Sequence, residues 1–274
     1  MKRLRGVGAA ALASFGVAAV GSVVWGGLIV ANARSSKSVP WAVPVMALVL
    51  AAYLWWLSGH GWPRRTAVVR ATLLRARPVS LSALGWSLLA GALALVALAG
   101  LWIVLVELTG HGGNPTEAQL AGYPTLFVAL VIVMGSLVSP LTEEAAFRGY
   151  GQVILERHFA PIAAVGISSL FFMLWHGPTQ GFFWSKLLFF FLVGVVFGTI
   201  AYLTNSTLPA LPVHIAGDLL FFIFIWPQDA NRVLLSQRGP DQWFWLHVAQ
   251  LVLFSALSVV ALRRLALQRS QALR

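Results

Sequence analysis

Residues 124–151 read PTLFVALVIVMGSLVSPLTEEAAFRGYG, an apolar run that continues without a break into two adjacent glutamates, a phenylalanine, an arginine and small residues. The run from 124 to 141 is long enough to cross hydrocarbon as a helix of roughly 20 residues. The pattern repeats along the chain, with apolar runs at about 6–33, 40–58, 80–108, 124–141, 160–177, 182–204, 208–226 and 243–262. A β-barrel would show short alternating segments instead, and backbone groups in lipid must be satisfied within each span. The fold class expected is therefore all-α, a polytopic membrane protein with about eight transmembrane helices, read as one domain over 1–274.

Composition agrees, because 59% of the residues are hydrophobic and only 10% charged, too few to cover a water-soluble surface. The net charge of +11 does not point to nucleic acid, since the cations sit at the ends of apolar runs and not along one soluble face. Placing the N-terminus in the cytoplasm puts Lys2, Arg3, Arg5, the Arg64–Arg77 loop, Arg148, Arg157, Arg263, Arg264, Arg269 and Arg274 on that side. Arg34, Lys37, Lys186, Arg232 and Arg238 fall on the other, so the bias predicts a plasma-membrane protein with both termini cytoplasmic. The Arg64–Arg77 stretch reads as a topogenic loop facing anionic lipid, and Trp55, Trp56, Trp62, Trp243 and Trp245 as interface anchors.

The first run follows Met1-Lys2-Arg3-Leu4-Arg5 and ends Ala31-Asn32-Ala33, which resembles a signal peptide. Its apolar length exceeds a signal core, so an uncleaved first helix is expected. Asn205-Ser206-Thr207 fits a glycosylation sequon, but this topology places it in a short cytoplasmic turn. The chain has no cysteine, which removes disulfides, thiol nucleophiles and thiolate metal ligands.

Of eight acidic residues, Glu143 and Glu144 are adjacent and continue an apolar run, a costly placement that marks functional candidates. Four residues separate Glu144 from Arg148, so the two share a helix face, while Glu143 points elsewhere. The plain reading is a charge cluster that merely ends the fourth span. Two further pairs shift the balance: Phe172 with His176, and His214 with Asp218, each four apart inside an apolar run. The segments 124–157 and 160–177 form a helical hairpin turning near 158. Rise along each helix places Glu143 and His176 roughly 22 to 27 Å from that turn, able to face one another. His214 lies about 12 Å from the cytoplasmic side if counted as regular helix from Ser206, and irregular backbone at Pro209 and Pro212 is a way to carry it deeper.

The string Glu143-Glu144-Ala145-Ala146-Phe147-Arg148-Gly149, then Phe172 to His176, then His214 to Asp218, resembles the three motifs of the CAAX protease and bacteriocin-processing family of intramembrane endopeptidases, which includes the type II CAAX prenyl endopeptidases. The resemblance covers about 120–225, where it implies a catalytic core. It implies that His214 and the residue at Asp218 stabilise an oxyanion, although that motif often ends in Asn where this chain has Asp218.

Peptide hydrolysis needs a base to take a proton from water and donors for the oxyanion. Glu143 suits the base, His176 orients the water, and Arg148 holds Glu144. The reading favours no required cofactor; the alternative is zinc held by His176, His214 and Glu143 or Asp218, against which stands the absence of His-Glu-x-x-His. The partners expected are membrane lipid and a peptide or protein substrate, not nucleic acid. Competing functions are a non-enzymatic immunity or partner-binding protein on the same scaffold, and a proton-coupled transporter, for which no inverted repeat is visible.

Overall fold

A computed structural model describes residues 1–114 and 119–272, so Arg274, one of the cations counted above, lies outside the described residues. The chain folds into helices α1 (Lys2–Ser35), α2 (Ala42–Leu57), α3 (Ala67–Leu74), α4 (Leu81–Thr109), α5 (Thr125–Glu156), α6 (Pro161–Gln180), α7 (Trp184–Thr204), α8 (Leu208–Asn231) and α9 (Gln242–Ala272). Seven of them, α1 and α4 to α9, are long and apolar enough to cross a membrane. The apolar α2 has 16 residues, about 24 Å by helical rise, and completes eight spans. An even number of spans returns both ends of the chain to one side. There Gly6 packs on the ring of His158, and Arg269 donates to the Tyr202 carbonyl.

Helices in lipid gain little from hydrophobicity, so close packing and interhelical hydrogen bonds hold them together. Gly194 of α7 lies so near α6 that a methyl group there would meet the Ser169 Cα at 2.8 Å. Along α4 and α9, Gln250 donates to the Val96 carbonyl at 2.7 Å and Ser258 to the Ala90 carbonyl at 2.9 Å. Phe147, Phe172, Phe189, Phe221 and Trp102 form the aromatic centre of the bundle.

Part of the basic loop is structural. Arg70 is buried, its guanidinium 4.4 Å above the Trp56 ring and donating to the carbonyls of Trp56 and His60 at 2.8 and 2.6 Å. Arg75 ends α3 in the left-handed conformation and bridges two elements, with Nε donating to Asn205 at 3.0 Å and Nη2 to Glu156 at 2.6 Å. Arg64, Arg65 and Arg77 remain exposed as free surface charge. The sequon residues are likewise committed: Ser206 donates to the Arg77 carbonyl and Thr207 to that of Leu74.

Candidate active site

The glutamate pair does not end a helix. α5 continues thirteen residues past Glu143 to Glu156, and Glu143, Glu144 and Arg148 are only 4%, 1% and 1% exposed. Pro140 lies inside α5 and lacks an N–H, and from Glu144 to Gly151 the backbone is wound as a π-helix. Such wider turns are frequent at functional sites. Gly149 lets this segment approach α3, since an added methyl would stand 2.9 Å from the Leu73 carbonyl oxygen and 3.0 Å from that of Leu74.

Side chains from three spans, α5, α6 and α8, converge here. His176 Nε2 lies 3.8 Å from Glu143 Oε1, and His214 Nε2 lies 3.7 Å from Glu143 Oε2 and 3.8 Å from Asp218 Oδ1. His214 Nδ1 is 2.9 Å from Glu144 Oε1, and an Arg148 nitrogen is 3.3 Å from the same oxygen. Glu144 is thus held from two sides, by Arg148 as its spacing suggests and by His214, a partner that spacing does not reveal. The Arg148 guanidinium also lies 4.1 Å from the Phe172 ring centre and 5.4 Å from that of Phe197, a buried cation between two aromatic faces. Ser139, one turn before Glu143, donates to its Oε1 at 2.9 Å. Sequence reasoning passed over this serine, although the spacing of four was the available signal.

The second nitrogens of the imidazoles fix their tautomers. His176 Nδ1 is 2.9 Å from the Phe172 carbonyl oxygen, which can only accept, so Nδ1 carries a proton and a neutral ring presents a bare Nε2 toward Glu143. His214 faces an acidic partner at Nδ1 in the same way and turns Nε2 to Glu143 and Asp218. Phe190 stacks on His176 and Phe197 on His214, at centroid distances of 4.0 and 4.6 Å.

Across one 3₁₀ turn and the α-helical residues that follow, His214 lies roughly 10 Å along α8 from Leu208. Six residues of regular helix rise about 9 Å, so the 3₁₀ turn adds little depth. Pro209 and Pro212 occupy first-turn positions, where proline disturbs nothing, and do not carry the histidine deeper. The Glu143 side chain instead spans between His214 and His176.

These residues border a cavity of about 260 Å³ lined by Glu143, His176, His214, Asp218 and Ser139, with Phe172, Trp175, Phe189, Phe190, Phe197, Phe221 and Trp226 as walls. The histidines match metal ligands in one respect, since each second ring nitrogen is held by an acceptor. Among the described residues, however, no three His, Asp or Glu side chains close on a common point as an ion's ligands would. The donors stand in this structure as neighbours of one carboxylate.

The bundle of apolar helices is that of a polytopic membrane protein, and it buries paired carboxylates and two imidazoles beside an aromatic cavity. Residues 125–220, from α5 to the middle of α8, match the family model described as type II CAAX prenyl endopeptidase Rce1-like. The matched segment holds all six candidate residues, while α1 to α4 and α9 lie outside it. No curated protein and no solved structure matches the chain.

Proposed function

We propose that the protein is an endopeptidase in which Glu143 activates a water for attack on a peptide carbonyl, without a resident metal. The observation that carries this is the position of Glu143, with one carboxylate oxygen facing each imidazole at 3.8 and 3.7 Å. Those separations exceed a direct hydrogen bond and suit a water seated beside the carboxylate and within reach of a ring nitrogen. Ser139 fixes the carboxylate rotamer.

In the proposed reaction Glu143 accepts one proton from the water as its oxygen bonds to the carbonyl carbon. The bare Nε2 of His176 accepts a hydrogen bond from the second water proton and aims the lone pair. The carbonyl oxygen becomes an oxyanion. With Nδ1 of His214 held by Glu144, an Nε2–H donor to that oxyanion requires the imidazolium. Asp218 serves as the second donor when it carries a proton, the role an amide would fill. Collapse of the intermediate breaks the C–N bond, and Glu143 returns its proton to the leaving amine.

CAAX-type tails and other membrane-associated peptide precursors are the substrates this reading favours, cut in the half of the bundle that holds the Asn205–Thr207 turn. We assign that half to the cytoplasm from the charge bias, with both termini on the same side. In proteoliposomes, Glu143→Gln should lower cleavage by roughly 10²- to 10⁴-fold, the usual contribution of a general base, with an unchanged melting temperature. Undiminished cleavage by that variant would overturn the reading. Chelator inhibition reversed by one metal would overturn its metal-free part alone.

A further inference from the structure

At its outer end the cavity is bordered by Trp226, Thr179 and Gln180. On the outer side, Asp229 accepts from the Gly113 N–H at 2.8 Å, Asn114 donates to the Thr179 carbonyl at 2.5 Å, and Lys186 to that of Gln180 at 2.6 Å. These bonds hold the 110–114 segment against Trp226 and the end of α6, both of which border the cavity. The flank toward α1 and α6 is different. A surface groove there is lined by Phe15, Ser22, Val23, Leu174, Trp175 and Thr179, and three of those residues, Ser22, Trp175 and Thr179, also line the cavity.

The groove and the cavity therefore share one wall, and that wall is thin. Trp175 is its main body, with the Phe15 ring 6.2 Å away and tilted against it. Val23 and Leu174, at the outer rim, are 70% and 44% exposed on a surface that faces lipid. We propose that substrate reaches Glu143 sideways from the bilayer, between α1 and α6, as an extended apolar peptide segment, with the Trp175 side chain as the wall that swings aside. The hydroxyls of Ser22 and Thr179 favour a peptide over a bare hydrocarbon chain. An extended backbone leaving lipid carries unsatisfied N–H and C=O groups that need such partners, and a hydrocarbon carries none.

This inference rests on the protease reading, and its test separates the two. The chain has no native cysteine, so a single Val23→Cys can be labelled cleanly with a pyrene maleimide. Labelling should remove most cleavage of a bilayer-anchored peptide, whereas the same label at Leu12→Cys, exposed on α1 outside the groove, should leave it unchanged. Full activity after labelling at Val23, or equal loss at both positions, would overturn the lateral path. A second readout does not depend on turnover: in the Glu143→Ala protein, a transmembrane peptide carrying a photoreactive diazirine should form adducts within Phe15–Val23 and Leu174–Thr179. Adducts confined to the inner turns or the 110–114 segment would contradict the path, and adducts from a diazirine lipid alone would replace the peptide with a lipid chain. Failure of the protease reading looks different, since the unlabelled Val23→Cys protein would then cleave nothing.

Discussion

Two buried polar clusters lie at different heights in the bundle, and they are finished to different degrees. At the outer end Asp229 spends both carboxylate oxygens: Oδ2 accepts from Trp102 Nε1 and the Gly113 N–H, and Oδ1 from Arg232. Around Glu143 the opposite holds, and Glu143 Oε2, Glu144 Oε2, Asp218 Oδ2 and both terminal nitrogens of Arg148 are buried without hydrogen-bond partners. A satisfied network stiffens a fold, whereas buried groups left open are costly unless something else completes them. The outer cluster is a lock between the α4–α5 loop and the end of α8. The inner one is the cluster to which the proposed function assigns the reacting water and the peptide.

The comparison can be broken by substitutions whose expected effects descend in size. Arg148→Met leaves Glu144 as a buried carboxylate with only His214 beside it, and should lower stability by about 3–5 kcal/mol in thermal unfolding in detergent. A shift near zero would mean that Arg148 does not hold Glu144. Asp229→Ala strands the Trp102 and Gly113 N–H groups, and a loss of about 2–3 kcal/mol is expected. Cleavage per folded molecule should persist in that variant, and its disappearance would show that the two clusters are not separate in role. Ser139→Ala removes one hydrogen bond from Glu143 and should cost about 1 kcal/mol of positioning, roughly fivefold in kcat with little change in stability.

Spans and their order are legible from apolar runs because lipid forces each run to satisfy its own backbone, whatever its neighbours are. Consecutive helices are also readable in depth. Glu143 and His176 flank a shared turn, and rise per residue alone brings them to one level. Helices that do not share a turn offer no such count, which is why the contact of His214 with Glu144 comes only from the structure. The same limit hides Arg75 beside Glu156 and Asn205, where a residue read as free topogenic charge proves to be a tertiary clamp. The π-wound stretch from Glu144 to Gly151 leaves no mark in hydropathy, because it alters hydrogen-bond register and not composition.

Single-turnover cleavage of a bilayer-anchored peptide in H₂¹⁸O by the reconstituted protein tests the central claim most directly. Water activated by Glu143 predicts one ¹⁸O atom in the new carboxylate of the product, none in the Glu143 side chain, and cleavage slowed roughly 10²- to 10⁴-fold in Glu143→Gln. Label in the Glu143 carboxylate, or unlabelled product from the first turnover, would show that the glutamate attacks the peptide itself and would contradict the account.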